Sequence, residues 1–246
     1  MNFKVDAHTH TIASGHGYSS IEEMTIAAKK KNFEIIVIAD HASSIPGAPN
    51  DIYFRNLHLV SRKINDVRVL AGVEANIIDY KGNIDINEKV SKKLDYVIAS
   101  FHDICIKPSS VAEHTEAVIN ALKNPYIDVI GHPGNPRFQI DIEKFVLACK
   151  EYEKPVEMNN HSFKARPGSE NNCLEILKLC KKHEVEIVCS SDAHFSADVG
   201  NFNKLIEMIN DVDIDSNLLL CFSKNSMENY LSKRNKRIKK YQYNSI

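Results

Sequence analysis

The chain has 246 residues, a formal net charge of −1, 43% hydrophobic and 26% charged residues, as is usual for a water-soluble globular protein. A net charge this close to zero produces no overall field that would favour nucleic acid or an anionic membrane surface. The N-terminus, MNFKVDAHTH, is too polar for a signal peptide, and no apolar stretch has the length of a membrane span. We therefore expect a cytoplasmic protein with its own core.

The positions of the cysteines argue against a protein stapled by disulfides or by a cysteine-bound zinc. The six cysteines are scattered, and none forms a Cys-X-X-Cys pair, so the spacing predicts neither a disulfide framework nor a cysteine-bound structural zinc. Five lie in apolar-periodic segments, where a free thiol acts as a small hydrophobic side chain: Cys149, Cys173, Cys180, Cys189 and Cys221. Any bound metal must therefore rely on histidine and carboxylate.

Strand and helix patterns alternate along the chain. Short apolar runs, typical of strands buried on both faces of a parallel sheet, are FKVDA from Phe3, EIIVIA from Glu34, RVLAGVE from Arg68, DYVIAS from Asp95, DVIG from Asp128, PVEMN from Pro155 and EIVCSS from Glu186. Helical patterns with apolar residues at helical spacing begin at Ser19, Ser110, Asp141 and Ser169. A weaker strand, LLLCFS from Leu218, precedes a last helix, SMENYLSKRNKRIKK.

This alternation predicts an α/β fold in which crossover helices join parallel strands. No linker rich in proline, glycine or serine divides the chain, so residues 1–246 are predicted to form one domain. A barrel is the first expectation. A doubly wound open sheet is the alternative, although it would gather its site at one switch point.

Asn159, Asn160 and His161 follow the sixth predicted strand, and candidate metal ligands follow the other six. These ligands are His8, His10 and His16 in DAHTHTIASGH, His41 in VIADH, Glu74 in GVEANI, His102 in ASFHD, His132 in GHPGNP, and Asp192 and His194 in SSDAH. The carboxyl ends of barrel strands meet at one mouth, so these groups should converge. Without a cation their desolvation and repulsion would be costly, whereas neutral imidazole and carboxylate bind Zn²⁺, Mn²⁺ and Fe²⁺. Nine ligands exceed the needs of one ion and indicate two or three.

These motifs, together with EMNNHSF and GSENNC, resemble the PHP (polymerase and histidinol phosphatase) superfamily, and most closely its YcdX-like branch of small phosphatases. The resemblance runs over nearly the whole chain. It implies a distorted (βα)7 TIM-like barrel and hydrolysis of small phosphomonoesters by a hydroxide that bridges metal ions. It also implies a homo-oligomer, namely a trimer.

The resemblance further implies a trinuclear site with zinc as the first choice and manganese or iron as alternatives. One ion would bind His8, His10, Glu74 and Asp192. Glu74 would bridge to a second ion held by His102 and His132, and a third would bind His16, His41 and His194. Glu74, Asp192 and His194 are expected at the catalytic centre.

Other residues near the predicted mouth carry weaker expectations. Arg137 and Arg166 could grip phosphate as planar forks, or could simply be solvent-exposed. His161 is expected to pack rather than to donate a proton, and Asp40 and Asp103 to orient the histidines beside them. His58, His114 and His183 are predicted on the surface. The basic segment SKRNKRIKK is predicted as a solvated helix, with polyanion binding as the alternative.

Three rival functions remain open. A histidinol-phosphate phosphatase would differ only in substrate. A 3′–5′ exonuclease or phosphodiesterase would need a basic groove with aromatic stacking residues, and it is disfavoured by the near-zero charge and the absence of tryptophan. A non-catalytic metal-binding regulator is disfavoured because every expected ligand type is present.

Overall fold

The computed structural model describes residues 2–244. Its main sheet orders five parallel strands β1-β2-β4-β5-β6, with β3 antiparallel to β4, and β7 and β8 form a separate parallel pair. The strands are β1 (Val5–Thr9), β2 (Ile35–Ile38), β3 (Lys63–Ile64), β4 (Val67–Asn76), β5 (Tyr96–Ser100), β6 (Val129–Ile130), β7 (Val156–Asn159) and β8 (Ile187–Ser190). The chain is an α/β fold built on a parallel sheet, as predicted.

The two sheets curl round until β8, the last strand of the chain, lies beside β1. The backbone N–H of Asp192, just after β8, donates to the carbonyl of His8 on β1 at 2.9 Å. The backbone N–H of His10 donates to the carbonyl of Ala193 at 2.8 Å. At the other edge, β7 packs beside β6. This curl brings the carboxyl ends of strands from both sheets to one place.

The helices are α1 (Ile21–Lys30), α2 (Asp51–Asn56), α3 (Glu88–Ser91), α4 (Val111–Lys123), α5 (Ile142–Glu151), α6 (Ser162–Ala165), α7 (Ser169–His183), α8 (Asn203–Val212) and α9 (Lys224–Asn244). Capping boxes start two of them, Ser20 with Glu23 and Ser110 with Glu113, which satisfies backbone N–H groups that lack a helical partner. Within residues 2–244, none of these helices has both the length and the apolar character needed to cross a bilayer.

The structure corrects two parts of the predicted element order. The run LLLCFS is not a strand, because its chain turns in two 3-10 helices, Ser216–Leu218 and Leu220–Phe222, which bury Leu219, Leu220 and Cys221. An apolar run of this length fits either a buried strand or a buried turn, and periodicity cannot separate them. The crossover after β4 contains only the four-residue helix α3, and α8 was not predicted.

The apolar core contains the five cysteines expected there, each with a free thiol. Burial raises the pKa of Cys173 and Cys180 to about 12. Thiols held so far from ionisation are poor nucleophiles and poor metal ligands. Their role as small hydrophobic side chains is confirmed.

The basic segment is docked rather than simply solvated. Arg234 is buried, and its Nε donates to both oxygens of Asp128 at 2.8 and 2.9 Å. Arg237 reaches the same carboxylate at 3.2 Å, and the Tyr230 hydroxyl donates to it at 2.8 Å. Asp128 directly precedes β6, so α9 closes the amino ends of the strands, opposite the predicted site. The segment's arginines are used internally, whereas Lys236 remains exposed.

Candidate metal centre

The predicted site residues lie together at the carboxyl ends of the strands. The cluster contains all nine side chains singled out in the sequence: His8, His10, His16, His41, Glu74, His102, His132, Asp192 and His194. Six are buried, His102 and His194 keep 16% and 21% of their side-chain surface exposed, and His16 is exposed. The cluster is therefore accessible from solvent on one side.

Glu74 lies at the middle of this cluster. Its Oε1 is 3.0 Å from Nε2 of His132 and 3.4 Å from Nε2 of His102. Its Oε2 is 2.7 Å from Nδ1 of His41 and 3.4 Å from Nε2 of His8. Each carboxylate oxygen thus faces a different group of imidazoles, which is the arrangement expected of a bridging ligand.

Hydrogen bonds on the far side of two rings define which nitrogen faces the cluster. Nδ1 of His8 lies 2.7 Å from a carboxylate oxygen of Glu157 and must donate to it, so in the neutral ring Nε2 carries the lone pair. Nδ1 of His10 lies 3.0 Å from the Ser14 hydroxyl. The two Nε2 atoms are 3.0 Å apart, and Oδ1 of Asp192 is 3.2 Å from that of His10. When both rings are neutral, these two nitrogens and the carboxylate oxygen face one another as acceptors, and such a group can bind a cation.

Further acceptors in the centre lack partners. Among residues 2–244, the buried atoms without a hydrogen bond include His41 Nδ1, Glu74 Oε2 and His194 Nε2. The first two are 2.7 Å apart but not aligned for a hydrogen bond. The Nδ1 of His194 faces the carbonyl of Asp192 at 3.0 Å, which leaves Nε2 as an acceptor. Buried polar atoms are rarely left unpaired unless an ion or water uses them.

His16 completes the outer part of the cluster. Its ring centroid is 4.9 Å from that of His41 and 4.7 Å from that of His194. The loop that carries it includes Gly15, whose φ of +82° and close approach to Gly47 leave no room for a Cβ. Glycine is therefore required where this loop turns toward the other imidazoles.

The electrostatics suit metal binding as well. Burial alone would raise the pKa of Glu74, but His102, His8 and His41 hold it well below its usual value. Burial, with His194 and His41, lowers the pKa of His10 well below that of a free imidazole. Ionised carboxylate and neutral imidazole are the forms that bind transition metals. His8 differs: burial alone would lower its pKa, but the charges of Glu74, Glu157 and Asp192 raise it well above that of a free imidazole, so a bound cation would have to displace its second proton.

Two site residues adopt an uncommon backbone. His132 has φ +35° and Asp192 has φ +53°, in the left-handed region that costs roughly 1 kcal/mol or more for a non-glycine residue. Both lie at the turn that directly follows a strand. Strained backbone of this kind concentrates at functional sites, where the surrounding structure holds it.

The residues that orient the imidazoles differ in part from those predicted. Glu157 and Asn76, which the sequence analysis missed, contact Nδ1 of His8 and of His102, each at 2.7 Å. The acidic residue inside the apolar run PVEMN was the only available signal for Glu157. The prediction that Asp103 orients a histidine is wrong, because Asp103 is exposed and pairs with Arg137 at 3.1 Å.

The histidines expected on the surface behave differently from one another. His58 is exposed, and His183 is partly exposed and contacts Glu143. His114 is buried, which contradicts its predicted surface position. Its ring lies between the backbone N–H of Ser109 and the carbonyl of Gln139, a pairing that its position within a helical pattern could not reveal.

Both predicted phosphate-binding arginines line a cavity of about 360 Å³ beside His102. Arg166 is 17% exposed and lies 3.5 Å from Asp192. Arg137 is 65% exposed at the rim, where it pairs with Asp103. The remaining lining is largely apolar and includes Phe101 and Phe138. His161 lies near His194, with 6.2 Å between the two ring centroids.

Comparisons with known proteins identify relatives of the chain. The profile of the family described as PHP domain matches residues 6–164. The chain is 50% identical over 240 residues to a "Probable phosphatase" of Acetivibrio thermocellus, covering 98% of this chain and all of the relative. It is 49% identical over 232 residues to a "Probable phosphatase" of Caldicellulosiruptor bescii, covering 94% of this chain and 95% of the relative.

A solved structure shares the fold. The histidinol phosphate phosphatase of Lactococcus lactis, crystallised with zinc, L-histidinol and phosphate, superimposes with a TM-score of 0.60. The match covers 86% of this chain and 94% of that one at 16% sequence identity. At this identity the likeness concerns the fold alone.

Proposed function

Because the chain belongs to the PHP-domain family, we propose that it is a metal-dependent phosphatase that hydrolyses small phosphomonoesters at a three-metal centre. The observation that carries the proposal is the pair of Nε2 atoms of His8 and His10, 3.0 Å apart. In the neutral ring, the form that binds metal, the hydrogen bond to Glu157 leaves the first of these with a lone pair. Such a contact is repulsive between two acceptors and favourable around a cation.

The residues fit three ions in the following way. His8, His10, Glu74 and Asp192 would hold the first, because the Nε2 atoms of both histidines lie within 3.9 Å of oxygens of both carboxylates. Oε1 of Glu74 faces His102 and His132, which would hold the second. His41 and His194, each with an unpaired buried nitrogen, would hold the third together with His16.

The chain's own groups would then act around the phosphate. Bound divalent ions supply an activated water at neutral pH and neutralise phosphoryl oxygens. Both terminal nitrogens of Arg166 lie 3.5 Å from Oδ2 of Asp192, and their remaining N–H groups would donate to a phosphoryl oxygen. The cavity next to it would hold the leaving group and shield it from water, with Phe101 and Phe138 forming its apolar side.

Other parts of the proposal depend on the family. We infer that the parallel strands β1, β2 and β4 to β8 amount to the distorted (βα)7 barrel of PHP proteins, with the single domain spanning the whole chain. A cytoplasmic location, a homotrimer and the preference for zinc over manganese or iron stay predictions.

Histidinol-phosphate hydrolysis is the second candidate. Its support is the Lactococcus lactis structure with zinc, L-histidinol and phosphate. The apolar and charged lining of the cavity would accept many leaving groups, so substrate choice has to be measured.

The test is turnover by protein purified without added metal, with bound ions counted by elemental analysis. We expect two to three ions per chain and hydrolysis of 4-nitrophenyl phosphate that a chelator abolishes and Zn²⁺ or Mn²⁺ restores. L-histidinol phosphate and a single-stranded oligonucleotide test the rivals in the same assay. His10→Ala should abolish activity, whereas the exposed His58→Ala is the matched control. One ion or none after reconstitution, or a preference for the oligonucleotide, would refute the proposal.

A further inference from the structure

The hydroxyl of Ser14 makes all three hydrogen bonds that a serine can form. It donates to Oδ1 of Asp40 at 2.7 Å. It accepts from the backbone N–H of His41 at 3.2 Å and lies 3.0 Å from Nδ1 of His10. A serine hydroxyl offers one proton and two lone pairs, so these three contacts complete its set. Ser14 is fully buried.

The direction of these bonds follows from Asp40, which is surrounded by donors. Besides Ser14, it accepts from the backbone N–H of Thr11 at 2.7 Å and from the Thr11 hydroxyl at 2.9 Å. The Tyr53 hydroxyl donates to Oδ2 of Asp40 at 2.6 Å. Burial, followed by the charge of Asp40, raises the pKa of Tyr53, so this hydroxyl keeps its proton. Asp40 therefore acts only as an acceptor, and the Ser14 proton must point at it.

These hydrogen bonds fix the tautomer of His10. Since the Ser14 proton is committed to Asp40, the Ser14 oxygen can only accept from His10, which must carry its proton on Nδ1. Nε2 of His10 is then a bare acceptor, directed at Nε2 of His8 and Oδ1 of Asp192. The same oxygen also holds the backbone of His41, so one side chain positions two of the imidazole-bearing segments.

We propose that Ser14 is a positioning residue for the metal centre. Because Asp40 holds the Ser14 hydroxyl in place, that hydroxyl fixes the tautomer and the ring orientation of His10. The inference rests on the proposed metal-dependent function. Asp40 precedes His41, and this adjacency predicts that it orients its neighbour. The structure instead connects its carboxylate to His10 through Ser14, which lies 26 residues earlier. Loss of the hydroxyl should free the ring to take the other tautomer, in which Nε2 carries a proton and cannot bind a metal.

The test compares Ser14→Ala with Ser14→Thr, which keeps the hydroxyl, and with Ser91→Ala. Ser91 is a buried serine whose hydroxyl donates to the Asn87 carbonyl. Zn²⁺ affinity is measured by competition with a chromophoric chelator, and the visible spectrum of the Co²⁺-loaded protein reports ligand geometry. Ser14→Ala should weaken the affinity for one ion about 10- to 100-fold, as for other groups that orient metal-bound imidazoles. Its Co²⁺ spectrum should change, Ser14→Thr should recover most of the affinity, and Ser91→Ala should match the parent.

Tyr53→Phe keeps the inference testable if Ser14→Ala does not fold. Tyr53 is only partly buried, and the substitution removes one donor from Asp40 while Ser14 and Thr11 remain. We expect a smaller loss of Zn²⁺ affinity, about threefold, with a shifted Co²⁺ spectrum and a circular dichroism spectrum like that of the parent. Parent-like affinity and spectrum in the folded variants would overturn the role of Ser14. A parent protein that binds no Zn²⁺ would instead refute the proposed function.

Discussion

Glu157 on β7 accepts a hydrogen bond from His8 on β1, with 2.7 Å between Oε1 and Nδ1, although 149 residues separate them in the sequence. The same carboxylate also accepts from the Ser190 hydroxyl at 2.7 Å and from the backbone N–H of His132. Three buried donors therefore depend on one side chain from a neighbouring strand. Glu157 joins β1, β7 and β8 directly beneath the candidate metal centre.

We predict that Glu157→Gln lowers Zn²⁺ affinity about 10- to 100-fold. The amide offers one oxygen instead of two, so a buried donor loses its partner, and the hydrogen bond from His8 loses its charge assistance. Chelator competition measures the affinity and thermal unfolding measures stability. The control is Glu186→Gln, which removes only a partly exposed ion pair with Lys233. Equal Zn²⁺ affinity in Glu157→Gln and Glu186→Gln would contradict the prediction.

Glu74→Gln should damage activity more than His16→Ala. Each oxygen of Glu74 faces a different group of imidazoles, so the substitution weakens two predicted ion sites, whereas His16 serves one. We expect kcat/KM for 4-nitrophenyl phosphate to fall at least about tenfold further in Glu74→Gln, a barrier difference of about 1.4 kcal/mol or more. Ions per chain, counted in the same samples, should fall in the same order. A Glu74→Gln protein as active as the parent would remove Glu74 from the centre.

The two arginines at the cavity should differ in importance. Arg166 is mostly buried and lies next to Asp192, whereas Arg137 is 65% exposed and paired with Asp103. We expect Arg166→Ala to reduce kcat/KM about 100-fold, as loss of a buried donor to a developing oxyanion does. Arg137→Ala should cost about tenfold or less, because an exposed ion pair contributes little. Steady-state kinetics with 4-nitrophenyl phosphate measure both losses. A larger loss of kcat/KM in Arg137→Ala than in Arg166→Ala would indicate that the phosphate binds at the rim.

Lys154 should make stability depend on pH between about 7 and 10. Burial, and then the charge of Arg237, lower its pKa from 10.5 to about 7. In this window the unfolded chain binds a proton that the folded chain does not, so the free energy of unfolding rises with pH. Below about pH 7 both states are protonated and the dependence disappears.

The comparison for Lys154 is with Lys154→Met, which lacks the titrating group. Urea unfolding at pH 7 and pH 9 should show the parent gaining about 2 kcal/mol relative to the variant. The Leu122 and Asn124 carbonyls that Lys154 contacts lose their partner in the variant, but this cost is the same at both pH values. Parallel pH profiles would show that Lys154 stays charged in the folded protein.

Much of the chain's organisation was determined by its sequence alone. The apolar runs and the serine and aspartate caps predicted where most strands and helices begin, because hydrophobic periodicity and capping are local properties. His8 and His10 alternate with threonine at the end of a strand, and that spacing directs both rings to one side. The α/β class and the candidate ligands after the strands could therefore be predicted without a structure.

Only the tertiary structure decided which groups support those ligands. Glu157 contacts His8, Ser14 contacts Asp40, and Arg234 contacts Asp128 across 26 to 149 residues. They exist because the sheet curls and buries polar groups, each of which needs a partner wherever the packing provides one. The same physics explains the failures at Asp103 and His114. Adjacency in sequence suggested a partner for Asp103 and a solvated helix position suggested exposure of His114, but burial and hydrogen bonding are set by strands and loops that are distant in the chain.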